Sequence, residues 1–544
     1  MSKTGSPQAG DLPSFLRAAA VDRPAQAAYI FTDGAIRYDE LDRQSDICAR
    51  GLAAMGIERG DRVALLVRPS RSLFVLAFGL LRRGAVPVLI DPGIGRVHLA
   101  RCLAEARPSA FIGVSVAHAA RVLLGWARDS VRTLITVGAR WFWSGASFDD
   151  VMTAGAQAKS RPFPSLGPNE LAAIAFTSGS TGPPKGAMFT HENLAAQALL
   201  LRDHFGIRPG ERDLATFPLF AFFDPVWQAT AVIPRMDFTR PGSVNPPCII
   251  EPVLEHGVTH AFGSPALLDR VGRWGVERAV KLPSLKRVLS AGAPVSGRVL
   301  ERFAQLLGPD AEIHTPYGAT EALPICSISL RELRGDTADE TARGRGVCVG
   351  RPLPQVRLEV IRITDAPIEN WSDDLRVPRN EVGELVVWGP NVSREYWNRP
   401  EATRLAKIFS EAGEIGHRTG DVGSIDTLGR VWFCGRKAHR VVTGSETLFS
   451  VACEGVFNQH PHVRRTALVG VGAPPRQRPA LCVEVENDGD RSQIKRDLLA
   501  LGAACPSTRN VETILFHHRF PVDIRHNAKI FRERLAVWAS GRIS

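Results

Sequence analysis

Residues 177–186 read Thr-Ser-Gly-Ser-Thr-Gly-Pro-Pro-Lys-Gly, and their side chains suit the binding of a polyanion. Gly179, Gly182 and Gly186 let backbone approach a ligand closely, Ser180 and Thr181 offer hydroxyl donors, and Lys185 adds a fixed positive charge. Together they form a cradle for phosphate oxygens. The order differs from the Walker loop, where Ser or Thr follows the lysine directly, because Gly186 follows Lys185 here. A Gly/Ser/Pro surface turn has the same composition. Against that reading, a flexible linker has no use for an apolar strand on its upstream side, and Pro183 and Pro184 stiffen the segment.

The apolar run 171–176 leads into the loop and a helical pattern begins after Thr190, so the segment reads as strand, loop, helix. The same alternation runs through the first half of the chain. Residues 41–55 and 72–83 read as helices that end at Gly56 and Gly84, before buried strands at 62–67 and 85–90. After the loop, 193–204 reads as a helix, and 213–218, 258–262 and 285–290 as strands. Strands and helices at this spacing predict a parallel sheet with crossover helices, hence an α/β fold. The polar segment 331–346 reads as an exposed loop. Residues 384–388 and 431–433 look like strands of an antiparallel piece; from 451 onward helix, strand, strand, helix form a compact α+β unit. A boundary near Cys434 therefore divides a large part, 1–433, from a small one, 434–544.

A length of 544 residues exceeds what one core supports, and 44% hydrophobic with 23% charged residues is ordinary globular composition. The first twenty residues lack a basic start followed by an apolar core, so no signal peptide is read. The apolar run 73–81 stops at Arg82 and Arg83, too short to span a bilayer. The nine cysteines are scattered and form no CxxC pair, which argues against a cysteine-ligated zinc or a disulfide framework and for a reducing cytoplasm. Net charge is +11; after residue 433, seventeen Lys and Arg face ten Asp and Glu. Nucleic acid is one reading of that basic block, but no helix-turn-helix pattern or interleaved exposed aromatics accompany it. A phosphate-bearing partner or a solvated face fits better.

Five stretches fall in order: the glycine loop; 290–294 (Ser-Ala-Gly-Ala-Pro); Tyr317 to Glu321 (YGATE); Thr419 to Asp421 (TGD); and Gly435-Arg436-Lys437 with a distant Lys529. Together they resemble the adenylate-forming superfamily of acyl-CoA synthetases, luciferases and peptide-synthetase adenylation domains, over residues 11–538. The resemblance implies ATP with Mg2+, attack of a carboxylate on the α-phosphorus, and release of pyrophosphate, with positioning and charge neutralisation as the main catalytic devices. It implies a large domain followed by a small mobile one. It further implies that Thr177, Ser178, Gly179, Ser180, Thr181, Gly182 and Lys185 hold the triphosphate. Tyr317 stacks on adenine beside Gly292, Ala293 and Pro294; Thr320 contacts the α-phosphate; Glu321 binds Mg2+; Asp421 takes the ribose hydroxyls with help from Arg436; and Lys529 bridges the carboxylate and α-phosphate. Each has a plainer reading: a packed aromatic for Tyr317, a helix-start carboxylate for Glu321, a turn residue for Asp421, a surface lysine for Lys529.

Two positions depart from the family pattern: Ala221 replaces a histidine after Pro218-Leu219-Phe220, and Ala438 occupies the hinge position two residues after the arginine. The strings YGATEALPICSI, CGRKAHRVVTGSE and FPVDIRHNAKIFRERL are similar to the β-lactone synthetases of bacterial long-chain olefin biosynthesis. That similarity implies a 2-alkyl-3-hydroxy fatty acid whose own hydroxyl expels AMP, and association with a lactone-decarboxylating α/β-hydrolase and a reductase. A long-chain fatty-acid-CoA ligase is the alternative. A third reading, an aminoacyl adenylation enzyme, rests on Phe223-Asp224 and is disfavoured because no carrier domain follows Ser544. Phe217, Phe220, Phe222, Phe223 and Trp227 are candidate lining for the hydrocarbon, or simply core. Asp224 is either a hydrogen-bond acceptor and base for the substrate hydroxyl, or the cap of a helix that begins at Pro225.

Overall fold

Among the described residues the strands pair into two large sheets, a three-stranded sheet and a two-stranded one. The computed structural model describes residues 10–159, 163, 165–177, 183–486, 489–523 and 530–543, with backbone alone at 92 and 177. The first large sheet has seven strands in the order Ala146–Ser147, Thr133–Val137, Ala110–Val114, Arg62–Leu66, Val86–Ile90, Leu171–Thr177, Lys185–Thr190. All pairings are parallel except the last. The glycine loop is thus the connection of a β-hairpin, with Ala175 opposite Ala187. Strand, loop, strand, helix replaces the expected strand, loop, helix. Residues 185–190 (KGAMFT) carry a charge and a glycine that mask their strand character.

The second large sheet holds fourteen strands. Arg212–Ala215, Thr230–Val232, His260–Phe262, Arg287–Leu289 and Glu312–Ala319 form its parallel part. From Ala322–Ser329 onward the pairing turns antiparallel, through Val347–Pro352, Val431–Arg436, Ile415–Ile425, Gly383–Trp388 and Arg357–Ile361. A three-stranded sheet, Val463–Val471, Arg478–Val485 and Thr513–Phe516, packs with the helices Ser450–Phe457, Arg491–Ala503 and Arg532–Ser540 around apolar clusters of its own.

One helix explains how the two large sheets share a core. Arg71–Arg83 is started by Ser70, whose side chain accepts from the Leu73 amide, and stopped by Gly84 at φ 73°, a left-handed position that glycine adopts without strain. Every residue from Leu73 to Arg82 is buried, as expected of a helix apolar on all faces. Its cluster joins Val63 and Leu65 of the seven-stranded sheet to Tyr29 and Ala231 of the fourteen-stranded one. Phe74 stacks on Tyr29 at 3.8 Å and meets Phe222 at 5.1 Å.

Residues 331–346, expected as an exposed loop, contain the short helices Leu330–Leu333 and Asp336–Ala342. Ser329 caps the first in a reciprocal box with Glu332. The segment seats the C-terminal part: Gln459 Nε2 donates to the Ala342 carbonyl at 2.7 Å and Cys505 Sγ to that of Arg343 at 3.2 Å. All nine cysteines are free thiols. Among the described residues no helix is long and apolar enough to cross a membrane.

Candidate active site

A single cavity of about 1820 Å3 runs between the two large sheets. Its polar end is lined by Lys185, Gly292, Thr320, Glu321, Thr419 and Arg436, residues from all five sequence stretches. Each is placed by a strand end or a turn. Lys185 opens the strand Lys185–Thr190, which is held from the side by the segment around Tyr396: Trp397 N donates to the Gly186 carbonyl at 2.7 Å and Met188 N to that of Glu395 at 3.0 Å. The lysine Nζ lies 5.0 Å from the Tyr396 ring centroid, within cation–π range.

Thr320 and Glu321 form the turn between Glu312–Ala319 and Ala322–Ser329. The Glu321 carboxylate is oriented by the Tyr396 hydroxyl, which donates to Oε1 at 2.6 Å, and its carbonyl accepts from Ser393 N at 2.8 Å. Glu321 therefore sits in a hairpin turn rather than at a helix start. Tyr396 also joins the cavity lining. Sequence reading passed over it, and the only signal was an aromatic pair, Tyr396-Trp397, in the polar stretch 389–401. Behind this wall Lys407 is fully enclosed and donates to the Ser393 carbonyl; burial pulls its pKa down to about 7, with Glu321 acting in the opposite sense.

Asp421 and Arg436 are register partners on adjacent strands, with Arg436 Nε 3.0 Å from Asp421 Oδ1. Tyr317 donates its hydroxyl to Asp421 Oδ2 at 2.6 Å. Burial first, then the Asp421 charge, hold that phenol well above the ordinary tyrosine range. Tyr317, Asp421 and Arg436 thus form one connected group. Gly420, at φ 69°, sits where the pairing register of the strand Ile415–Ile425 shifts, and Asp421 N donates to Thr419 Oγ1 at 3.1 Å. Gly292, at φ 92°, bends the loop that carries Ala293 and Pro294. Ala438 lines the cavity beside Arg436 and Lys437, and Lys437 Nζ bonds to Glu384, which is itself paired with Arg418. Ser178, Gly179, Ser180, Thr181, Gly182 and Lys529 lie outside the described residues, as does the Thr177 side chain.

The rest of the cavity mixes apolar side chains with charged ones, Arg68, Arg71, Asp91, Arg96, Arg235 and Asp237 among them. One set of walls comes from Leu65, Leu73, Leu89, Ile90, Leu99 and Trp126, the other from Phe217, Phe220, Phe222, Phe223, Met236 and Phe262. Trp227, expected with the second set, instead packs into the core and donates from Nε1 to the Ala198 carbonyl at 2.8 Å. Asp224 is also placed differently from either expectation. Its carboxylate is fully buried behind the phenylalanines and is not part of the cavity lining; it turns instead toward Asp213 and His260. Nor is it a cap: it occupies the first turn of the helix Asp224–Trp227 and makes no capping hydrogen bond.

Comparison with known proteins matches residues 16–397 to the family described as AMP-binding enzyme. The chain is 46% identical to an olefin beta-lactone synthetase of Xanthomonas campestris, over 94% of this chain and 92% of that one. It is likewise 46% identical to one of Stenotrophomonas maltophilia, over 95% and 93%. Among solved structures, an anthranilate CoA ligase in complex with anthranoyl-AMP superposes with a TM-score of 0.80 at 18% identity, covering 100% of both chains. An amide bond synthetase from Marinactinospora thermotolerans gives 0.79 at 24% identity, over 97% of this chain and 99% of that one.

Proposed function

Because the chain belongs to the AMP-binding enzyme family and is an AMP-forming ligase, we propose that its acid is a long-chain 2-alkyl-3-hydroxy fatty acid and its product a β-lactone. The carboxylate attacks the α-phosphorus of ATP and pyrophosphate leaves. The 3-hydroxyl oxygen of the same molecule then attacks the acyl carbon, the carbon–oxygen bond to AMP breaks, and the hydroxyl proton passes to water. The attack is intramolecular, so positioning offsets part of the strain of the four-membered ring.

The observation that carries this reading is the continuity of one cavity from Lys185, Thr320, Glu321 and Arg436 to a broad lining rich in aliphatic and aromatic side chains. Its volume of about 1820 Å3 exceeds the ~300–1,000 Å3 of ordinary small-ligand sites. Each buried methylene contributes about 0.8 kcal/mol, so two hydrocarbon branches bind strongly to featureless walls. The 46% identity to olefin beta-lactone synthetases supports the same assignment.

In this reading Lys185 and the glycine loop hold the triphosphate, and the carbonyl-rich turn at 292–294 borders the base with Tyr317. Asp421 and Arg436 hold the ribose, with the Tyr317 hydroxyl yielding Asp421 to the sugar. Glu321 is a hard oxygen donor, held by Tyr396 and facing the cavity, and it fits Mg2+, which takes one or two carboxylates and completes its shell with phosphate oxygens and water. When bound, the ion neutralises phosphate charge. Residues 434–544 act as the lid that brings Lys529 to the α-phosphate. The lactone is a substrate for a decarboxylating α/β-hydrolase, with which the enzyme and a reductase associate in the cytoplasm.

The reading is tested by a pair of acids that differ only at C3. With ATP and Mg2+, the 3-hydroxy acid turns over to AMP, while the 3-deoxy analogue stops after one equivalent of acyl-adenylate per enzyme. Equal AMP release from both would remove the hydroxyl from the mechanism.

A further inference from the structure

Behind the phenylalanines of the cavity, three buried ionisable side chains meet. Asp213 and His260 are register partners on the adjacent parallel strands Arg212–Ala215 and His260–Phe262, and Asp224 reaches them from the helix Asp224–Trp227. Their exposures are 4%, 3% and 0%. One ligand atom from each lies within 4.8 Å of the other two. We propose that Asp213, Asp224 and His260 bind a divalent transition-metal ion of the zinc class, which fastens the aromatic wall of the acyl cavity to the sheet beneath it.

The hydrogen bonds around the cluster point the donors inward. His260 Nδ1 lies 3.3 Å from Glu211 Oε2 and 3.3 Å from the Thr259 hydroxyl, and Glu211 is paired with Arg287. That environment places the ring proton on Nδ1. The Nδ1–Glu211 contact is then the carboxylate–histidine arrangement that orients metal-binding imidazoles, and the Nε2 lone pair faces Asp213 Oδ1, 3.7 Å away, across the space an ion would fill. Nε2 and both carboxylate oxygens of Asp224 are buried without a hydrogen-bond partner. Unpartnered polar atoms in a dry interior are costly, and two buried carboxylates more so. A single divalent cation meets all three needs and leaves the set neutral.

The donor types select the ion. One imidazole nitrogen with two carboxylates, in a space with little room for water, suits Zn2+ and its neighbours, which accept mixed nitrogen and oxygen ligands at low coordination number. Mg2+ demands an octahedral oxygen shell and keeps several waters. The site is thus chemically distinct from Glu321. Its mechanical role follows from position: Asp224 directly follows Phe220, Phe222 and Phe223, all of which line the cavity.

The test is metal analysis of the tag-free full chain, purified without chelator from cells grown with added Zn2+ or Co2+ and dialysed against metal-free buffer. The expected result is one tightly held ion per chain, visible absorption bands in the Co2+ protein, and a Tm that falls by ~5 °C when the ion is stripped by a strong chelator. His260→Gln loses the ion and the bands, whereas Glu321→Gln keeps both. A cell-derived protein that forms acyl-adenylate yet holds no stoichiometric Zn2+ or Co2+ overturns the proposal. So does a retained ion that His260→Gln leaves in place. In the metal-free case Asp224 carries a proton instead, and Asp224→Asn matches the wild-type Tm.

Discussion

The two ends of the cavity are built on opposite principles. At the nucleotide end the charged groups reach one another through named partners: Tyr396 on Glu321, Tyr317 and Arg436 on Asp421, Lys437 and Arg418 on Glu384. At the acyl end aliphatic and aromatic side chains dominate, with charged groups such as Arg71, Arg235 and Asp237 among them, and the cluster of Asp213, Asp224 and His260 is buried apart from the lining. In the proposed function the first end fixes phosphate and sugar by direction and charge, and the second takes hydrocarbon chiefly through the volume and apolar surface of its lining. The difference teaches that activation and product choice are separable, and substitutions at the two ends should fail in different ways.

The largest expected effect is at the nucleotide end. Lys185→Ala slows adenylate formation by ~100- to 1,000-fold, the range for losing one preorganised charge on a transition state, and leaves the ratio of products unchanged. Pyrophosphate release with parallel product analysis checks both halves, and an altered ratio would break the separation. Next comes the acyl wall. Phe222, which packs on Phe74 and Phe78, costs ~3 kcal/mol of stability when cut to alanine, measured by urea unfolding, and raises KM for long acids more than KM for ATP.

A smaller effect tests the electrostatics behind Glu321. The folded pKa of Lys407, about 7, lies below its ordinary value of 10.5. Between these two pH values the unfolded chain binds more protons, so stability rises with pH from about 7 toward 10 and is lowest once Lys407 is charged. Lys407→Met removes that slope and stabilises the fold near pH 7 by ~2 kcal/mol, since an apolar side chain replaces a buried cation; melting curves across that pH range read it out. Smallest is Tyr396→Phe, which deletes one charge-assisted hydrogen bond to Glu321 and lowers kcat/KM by ~10-fold. It should do so equally for every acid tested.

The same contrast decides how much of the molecule could be read from its sequence. The helices Tyr38–Ala54 and Arg71–Arg83, and the parallel strands beside them, follow from apolar periodicity with glycine stops, and the structure reproduces them within a few residues. Gly292, Tyr317, Thr320, Glu321, Asp421 and Arg436 stood out because the motifs that carry them fall in one order along the chain, and the structure brings Gly292, Thr320, Glu321 and Arg436 to one cavity, with Tyr317 and Asp421 joined to Arg436. Tyr396 did not, since a tyrosine acting through another residue leaves no spacing signal. The strand Lys185–Thr190 was hidden because its pairing partners, Leu171–Thr177 and the segment at 395–397, supply the order that its own composition lacks. The helices at 330–342 were hidden by polar composition, and only the C-terminal part packed against them explains why they are ordered. Asp224 misled because a carboxylate among phenylalanines reads as facing substrate, whereas the short helix turns it inward toward Asp213 and His260.

The central claim is that this ligase closes a β-lactone on its own adenylate. The most direct measurement supplies ATP, Mg2+ and a long-chain 2-alkyl-3-hydroxy fatty acid, with and without coenzyme A, and identifies the acyl product by NMR. The prediction is β-lactone in both reactions, formed in step with AMP. A thioester that appears only with coenzyme A, and no lactone without it, would contradict the account.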